Sequence, residues 1–535
     1  MSGRLRRWEA LALAGLALAA FAGFLLYPTY PNYDSLYSLL WGREILAGQL
    51  PSFDAYRAPT QHPLWVAISV PLAALGPGGD RILLGVCVGS FVALVAGMYR
   101  LGKEVFGWVV GLVAALLLLS RLDFPFFAAR GYIDVPYLAL ILWAAALEVR
   151  TTRRGGPVWV LLTLAGLLRP EAWVLAGIYA LRMAWGRPLA AWLRAGLVVA
   201  IAPVAWALSD WIVTGSPLYS LQYTTESAAQ LGRRQSLGEL PGVTVRFLAE
   251  LTKPPAFAAA IAGIVLAWRM ARDRAGVPAV LLAWGTGMFL LVSLRGFSVI
   301  DRYLLVAALA LLLFAAFALA GFTRLQPGHA AIRPWAAGSL LLALAGAGWT
   351  ASKFNPGYID RELTLRDAVR RDLTHLFAAA PVRAARGCGP ISVPNHKLVA
   401  DVRWIARAGV DGVVARTDAR EGARTRHGGI VVVVTGGTRF LKHPAYGPFD
   451  QTEDSPLIQV PPPGYARAEV GQRFTAYVRC GADRASRRAG RSIATQHSHP
   501  SRSEAGSANA VSATNAPREP SWSKSSVVRA KSSRG

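Results

Sequence analysis

Acidic and basic residues stand at the ends of several long apolar segments in this chain of 535 residues. Charged side chains at membrane depth are energetically unfavourable and usually mark function. A carboxylate there can serve as a general base, and an arginine can stabilise negative charge that develops during a reaction. The candidates are Asp34, Asp134, Arg169, Glu171, Asp301 and Arg302. Whether they form one site depends on the elements that carry them.

Each candidate also has a structural interpretation, and the sequence leaves both interpretations open. Asp34 precedes a predicted surface helix over 35–49 and is a suitable N-cap for it. Asp134 is likewise a suitable cap for the apolar segment that follows it. Arg169 and Arg302 are suited to anchoring helix ends at the membrane interface by extending toward water.

Apolar segments dominate the first 350 residues and predict a membrane domain. Only 16% of the whole chain is charged, whereas soluble proteins carry about a quarter. A helix needs about 20 residues to cross a bilayer. The predicted spans cover 9–27, 82–99, 105–120, 133–149, 157–168, 171–185, 195–212, 255–270, 277–294, 303–321 and 334–350. The segment 64–75 is short and contains Pro71, so we expect it not to cross the membrane.

Basic clusters between these segments predict the orientation of the chain. They occupy 100–103, 150–154, 182–194, 269–274 and 324–333. Short cytoplasmic loops are enriched in Lys and Arg. With 64–75 counted as non-spanning, every cluster lies in the cytoplasm, as does the N-terminus. The C-terminal part and all the charged candidates then lie on the extracytoplasmic face of a plasma membrane.

The same distribution explains a net charge of +26. In a soluble chain that charge would indicate nucleic-acid binding. Here the basic residues follow the pattern of membrane topology, so we predict no nucleic-acid partner.

The chain changes character after residue 350. A helix is predicted over 361–380 and strands over 391–393, 412–415, 430–435 and 474–478, the third a continuous apolar run. Residues 481–535 are rich in Ser, Arg, Ala and Gly and cannot bury a core. The sequence thus predicts an all-α polytopic membrane domain (1–350), a small extracytoplasmic α/β domain (351–480) and a disordered basic tail (481–535).

The chain contains three cysteines. Cys87 lies inside a predicted span, where it serves as a small apolar residue. Cys388 and Cys480 bracket the α/β domain, and an oxidising compartment permits a disulfide between them. Two unpaired thiols are the alternative. No Cys and His spacing in the sequence is typical of a zinc site.

Four short motifs carry a resemblance to a known family. They are Tyr33-Asp34-Ser35, Gln61-His62-Pro63-Leu64, Ala129-Arg130-Gly131-Tyr132-Ile133-Asp134 and Asp301-Arg302-Tyr303-Leu304-Leu305. The order of these motifs, their spacing and their predicted side of the membrane resemble those of the GT-C superfamily of membrane glycosyltransferases. The resemblance is to the protein O-mannosyltransferase and aminoarabinose transferase type (glycosyltransferase family 39-like). The Trp-Trp-Asp signature of oligosaccharyltransferases is absent from the sequence, which favours transfer of a single sugar.

The resemblance implies a polyprenyl-phosphate sugar as donor, and a cell-wall glycan, lipid or protein as extracytoplasmic acceptor. Asp34 matches the superfamily's catalytic aspartate and would be the base of an inverting transfer. Asp134 would hold the acceptor or a divalent cation, Mg²⁺ or Mn²⁺, and the sequence does not decide between them. The donor phosphate would bind Arg302, then Arg130 or Arg169, and the acceptor loop would include Tyr33, His62 and Asp301.

Two other classes of function remain open. A lipid or sugar transporter or flippase would show paired halves and helices broken at mid-membrane, and the sequence shows no repeat. A non-catalytic scaffold or sensor would act through its α/β domain. That domain carries Asn395-His396-Lys397 and Gly436-Gly437, neither of which is a recognisable site.

Overall fold

The structure of the chain is a computed structural model that describes residues 2–153, 155–230, 238–353, 355–418, 420–436, 440 and 461–480. The predicted disordered tail, 481–535, lies outside the described residues. Helices form most of the described chain. Up to Lys353 they are α1 (Ser2–Leu26), α2 (Tyr33–Leu46), α3 (Pro63–Ala74), α4 (Gly79–Phe106), α5 (Trp108–Leu119), α6 (Asp123–Ala129), α7 (Asp134–Arg150), α8 (Gly156–Leu168), α9 (Glu171–Ala184), α10 (Leu189–Thr214), α11 (Tyr219–Gln230), α12 (Leu240–Thr252), α13 (Pro254–Met270), α14 (Gly276–Leu294), α15 (Leu305–Ala320) and α16 (Ile332–Lys353).

Each predicted span coincides with one of these helices, but the number of membrane crossings is a separate question. Five described helices are long and apolar enough to cross: α1, α4, α10, α14 and α15 with its flanking 3₁₀ turns. The number rises to seven if the bent pairs α5–α6 and α12–α13 are each one span. The chain is thus a multi-pass membrane protein, and the count of eleven stays a prediction.

The C-terminal part is the predicted small α/β domain. Its elements are α17 (Pro356–Ala378), α18 (Ala380–Ala385), β1 (Ile391–Val393), α19 (Val399–Ala406), β2 (Val413–Ala415), α20 (Glu421–Thr425), β3 (Gly428–Val434), β4 (Ala466–Val470) and β5 (Phe474–Cys480). The strand order is β2-β1-β3-β5-β4, parallel across β2, β1 and β3 and antiparallel thereafter. The four predicted strands are confirmed. The sequence analysis missed β4, whose side chains are largely exposed and carry charges.

Helix α2 differs from its prediction as a surface helix. Most of its residues are buried, because α3 and α19 pack against it from two sides. Arg43, which interrupts its apolar face, donates to the carbonyl oxygens of Arg403 (3.2 Å) and Ala408 (2.6 Å). A charged residue on this predicted surface helix is therefore a contact to the α/β domain.

Buried and half-buried polar contacts hold the α/β domain on the membrane helices. Arg403 of α19 forms a buried ion pair with Glu44 of α2, and Arg370 of α17 pairs with Asp80 at the start of α4. A buried charge left without its partner is strongly destabilising. These pairs consequently favour one docked arrangement of the two parts.

A disulfide joins Cys388 and Cys480, whose Cα atoms are 5.0 Å apart. It connects the segment before β1 to the end of β5, the two strands on either side of β3. Cys87 is free and buried in α4. Because disulfides persist in oxidising compartments, this bond is consistent with an extracytoplasmic α/β domain.

We expect an alkaline phosphatase fused after Lys353 to be active. A fluorescent protein that matures only in the cytoplasm should be non-fluorescent when fused at the same position. The reason is the positive-inside rule applied to the basic loops. The same fusions at Arg272, in a predicted cytoplasmic loop, should give the reverse result.

Mass spectrometry of unreduced peptides should recover Cys388 and Cys480 linked. A fluorescent fusion after Lys353 together with two alkylatable thiols would put the domain in the cytoplasm.

Candidate active site

A cavity of about 1630 Å³ lies between the membrane helices and the α/β domain. Both parts of the chain contribute to its wall. The charged side chains that line it are Asp34, Arg57, Arg130, Asp134, Arg169, Glu171, Asp210, Arg295, Arg302, Glu362, Arg366, Arg370, Lys397 and Asp401. Such a density of charge beside apolar helices is typical of a functional site.

The cavity wall also has an apolar part, formed by the spanning helices α10 and α14. Val204 of α10 and Leu291 of α14 line the cavity and are exposed apolar side chains. Both helices are long and apolar enough to cross a membrane. The wall therefore combines a charged region with an apolar region carried by spanning helices.

Asp34 lies in the first turn of α2 and is half-buried in this wall. It does not cap the helix, because the N-cap is Asn32, whose side-chain oxygen accepts from the backbone N–H of Ser35 at 2.8 Å. The capping interpretation of Asp34 is therefore wrong. Its side chain and that of Arg302 line the same cavity, so the candidate base and a candidate phosphate ligand face one space.

The segments that carry Asp34 and Arg130 are tied together at this point. The backbone N–H of Asn32 donates to the carbonyl oxygen of Arg130 at 2.7 Å, and the Ser35 hydroxyl donates to that of Gly131 at 2.5 Å. Gly131 has a φ of +69°, a conformation that glycine adopts without strain. These contacts hold the segment of Asp34 against the segment of Arg130, so two of the four sequence motifs lie side by side.

Asp134 is completely buried at the first residue of α7. One of its carboxylate oxygens pairs with Arg169 and the other with Arg302, at 3.2 Å. Arg169 in turn pairs with Glu171 at 2.8 Å. The four side chains form one ion-pair network, in which Arg302 is half-buried and the other three residues are buried, so both arginines are paired and Asp134 is more than a helix cap.

This network does not fit the divalent cation that the resemblance allowed. Each carboxylate oxygen of Asp134 contacts a guanidinium group, and a metal ion placed there would be repelled by both. Among the residues that the structure describes, no group of three or more His, Cys, Asp or Glu side chains is arranged to hold a metal ion.

Arg130 and Arg302 approach the same aromatic ring. The guanidinium carbons of both lie about 5 Å from the ring centre of Tyr132, Arg130 at 5.0 Å and Arg302 at 5.1 Å. Arg130 also lies over Tyr30 and Phe126. Its Nε is buried without a hydrogen-bond partner in the described structure. Two cations beside one ring are well suited to bind an anion between them.

The remaining predicted residues divide into two groups. Tyr33 and His62 line the cavity, and Tyr33 donates its hydroxyl to the carbonyl oxygen of Arg57 at 2.8 Å. Burial and the nearby Arg169 lower the pKa of His62 to about 3, so it is neutral at ordinary pH. Asp301, predicted in the acceptor loop, does not line the cavity. It precedes Arg302 in a 3₁₀ turn, where neighbouring side chains point in different directions.

A buried acid of the cavity wall, Asp210, was not among the predicted site residues. Asp210, near the end of α10, accepts from the Ser220 backbone N–H at 2.9 Å, the Ser220 hydroxyl at 2.8 Å and the Gln61 amide at 3.2 Å. An acidic residue inside an otherwise apolar span was the available signal. The network connects α10 and α11 to the loop that ends at α3.

The contribution of the α/β domain to the cavity wall was not predicted either. His396 and Lys397 line the cavity although their motif looked featureless in sequence. Their position depends on how the domain docks, which no local pattern encodes.

Comparisons with known proteins come from structure alone. No protein-family model matches the chain, and no curated protein matches it by sequence. The chain is similar to ArnT from Cupriavidus metallidurans bound to undecaprenyl phosphate, with 14% identity and a TM-score of 0.57, over 88% of this chain and 97% of that one. It is similar to the apo state of the same protein at a TM-score of 0.54, with 15% identity, over 89% and 98%. A weaker likeness is to the oligosaccharyltransferase AglB from Archaeoglobus fulgidus, with a TM-score of 0.48 and 14% identity, over 77% and 65%.

The first two likenesses extend over nearly the whole of both chains. ArnT, an aminoarabinose transferase, has the GT-C fold, and the chain described here therefore has that fold too. The fold that the four sequence motifs implied is confirmed.

Proposed function

From the GT-C fold and the cavity described above, we propose that the chain is a membrane glycosyltransferase. It moves a single sugar from a polyprenyl-phosphate donor to an extracytoplasmic hydroxyl acceptor, with inversion at the anomeric carbon. The single observation that carries the proposal is the cavity wall. It places a half-buried carboxylate, two arginines beside one tyrosine and apolar side chains of two spanning helices around one space.

The donor would occupy both the apolar and the charged part of this cavity wall. Its polyprenyl tail would leave along the apolar part formed by α10 and α14, and its phosphate would bind between Arg130 and Arg302. The similar protein ArnT has been seen with undecaprenyl phosphate bound, which supports a lipid phosphate as the ligand. Arg169 is the least available of the three predicted phosphate ligands, because Asp134 and Glu171 already engage it.

The reaction then follows from the placement of Asp34. It takes the proton of the acceptor hydroxyl while the acceptor oxygen forms a bond to the anomeric carbon. The bond from that carbon to the phosphate oxygen breaks, and polyprenyl phosphate leaves with the electron pair. Arg302 and Arg130 stabilise the charge that develops on this phosphate.

Asp134 has a positioning role in this proposal. It holds Arg302 and Arg169 in place through a buried carboxylate, and it does not contact the acceptor. Its ion pairs keep it charged and engaged, whereas a general base has to be free to accept a proton.

The proposal is tested with the purified protein in nanodiscs and a panel of radiolabelled polyprenyl-phosphate monosaccharides. A cell-envelope extract serves as the source of acceptors. We expect one donor to lose its sugar and release polyprenyl phosphate. Movement of the donor across a vesicle membrane with its glycosidic bond intact would favour a flippase instead. Turnover of no donor would contradict the proposal.

A further inference from the structure

Glu171 carries a buried carboxylate oxygen that no described residue engages. Its Oε1 accepts from Arg169 at 2.8 Å, whereas its Oε2 is buried without a hydrogen-bond partner among the described residues. The residue is 9% exposed and lines the cavity from the first turn of α9. A buried acceptor left unpaired is unfavourable, and more so when it is charged. Glu171 is therefore suited to accept a hydrogen bond from a ligand in the cavity.

Aromatic rings lie beside this carboxylate in the cavity wall. Trp173 follows Glu171 by two residues on α9, and Trp206 of α10 lies edge-on to Trp173 with 5.7 Å between their ring centres. The ring of His62 in turn lies edge-on to Trp206, at 5.8 Å. All four residues line the cavity, and together they are called the Glu171 corner. An indole ring offers a flat apolar surface on which the C–H groups of a sugar ring can pack.

The Glu171 corner is connected to the phosphate ligands of the proposed function. Arg302 pairs with Asp134, Asp134 with Arg169, and Arg169 with Glu171. These ion pairs form a continuous chain of side chains from Arg302 to the corner. In a polyprenyl-phosphate donor the sugar is bonded directly to the phosphate, so a phosphate at Arg302 brings the sugar to the neighbouring wall of the cavity.

Resting on that proposed function, we infer that the Glu171 corner binds the sugar of the donor and selects a neutral, hydroxylated sugar over an amino sugar. Glu171 accepts a hydrogen bond from one hydroxyl of the sugar, and the rings of Trp173 and Trp206 pack against it. Glu171 is then a specificity-determining residue for the donor.

The charges around the corner are the reason for a neutral sugar. The carboxylates of Asp134 and Glu171 are balanced by the guanidinium groups of Arg169 and Arg302 within one network. The donor phosphate would add one negative charge and Arg130 one positive charge, which leaves that balance unchanged. An ammonium group at Glu171 would lie beside the guanidinium group of Arg169, and like charges at contact repel. A buried ammonium ion without its own counter-charge is unfavourable.

The first test compares neutral and amino sugars on the full-length wild-type protein in nanodiscs. The donors are polyprenyl phosphates of arabinose, glucose, mannose and galactose, each paired with its amino derivative. At about pH 6.5 an amine is protonated. In the pair that contains the preferred sugar, we expect kcat/KM to be at least about tenfold higher for the neutral member, because the ammonium group meets Arg169. Equal or faster turnover of the amino sugar would overturn the inference while the chain remains a transferase.

The second test assigns the sugar contact to Glu171. Monodeoxy analogues of the preferred donor are compared in the wild type and in Glu171→Gln. The amide oxygen of the glutamine should stay opposite Arg169, since two donors would repel, so its NH₂ group faces the corner and cannot accept. In the wild type, loss of one particular hydroxyl should lower kcat/KM about 10- to 100-fold, the range for a hydrogen bond to a charged group. The variant should lose a similar factor on the parent donor and little more on that analogue.

Two controls separate the sugar contact from folding and from the phosphate site. Glu250→Gln changes an exposed glutamate that does not line the cavity and should behave as the wild type with every donor. Undecaprenyl phosphate has no sugar, so it should inhibit the wild type and both variants equally.

The remaining outcomes distinguish this inference from the proposed function. A wild type indifferent to the loss of every hydroxyl would overturn the inference, and this result needs no variant. So would a Glu171→Gln variant that slows the parent donor and every analogue by the same factor, or that weakens inhibition by undecaprenyl phosphate. In each case the chain remains an active transferase. A wild type that turns over no donor at all would overturn the proposed function, and the inference with it.

Discussion

The Asp34→Asn variant should transfer sugar about 10²–10⁴-fold more slowly than the wild type, the usual contribution of a general base. Asparagine has nearly the same size as aspartate but cannot accept the proton of the acceptor hydroxyl. The measurement is the initial rate of label transfer from the preferred donor, at saturating concentrations of both substrates.

The variant should still fold, because the cap of α2 is Asn32 rather than Asp34. It loses the attraction of a carboxylate to the helix N-terminus, which contributes about 0.3–1 kcal/mol. Asp54→Asn is the matched control, an exposed aspartate of the loop between α2 and α3 that does not line the cavity. It should transfer at the wild-type rate. If Asp34→Asn did so as well, Asp34 would have no part in proton transfer.

Several parts of the fold could be predicted from the sequence because local patterns determine them. An apolar helix in a membrane satisfies its own backbone hydrogen bonds, so each predicted span coincides with a helix whatever its neighbours are. The run that forms β3 was predictable for a related reason. A strand buried on both faces needs apolar side chains at every position, and Gly428–Val434 is buried throughout.

The features that escaped prediction depend on contacts between distant segments. Nothing near Asp134 in sequence indicates that Arg169 and Arg302 would occupy both of its oxygens. Arg169 lies in the break between α8 and α9, and Arg302 lies in the 3₁₀ turn before α15. The burial of α2 has the same origin, because α19 arrives from more than 350 residues further along the chain. Likewise, His396 lines the cavity only because the α/β domain docks on the membrane helices.

The Arg302→Ala variant should lower kcat for transfer by about 10²–10³-fold, the typical effect of removing one group that stabilises charge in the transition state. Arg302 contributes one of the two cations beside Tyr132, and the charge on the leaving phosphate grows as the glycosidic bond breaks. A group that acts on that growing charge changes kcat, whereas one that only binds the donor changes its KM.

Arg302→Lys separates charge from geometry at this position. Lysine keeps the positive charge but loses the planar fork that matches a phosphate, so its rate should lie between those of the wild type and Arg302→Ala. Neither variant leaves a buried carboxylate alone, since Asp134 retains its ion pair with Arg169, and thermal unfolding should show a folded protein. Arg333→Ala, at an exposed position of α16, is the control and should transfer normally. Arg130→Ala is measured beside these variants. If Arg302→Ala kept the wild-type kcat while Arg130→Ala lost most of it, Arg130 would be the phosphate contact and Arg302 only a partner of Asp134.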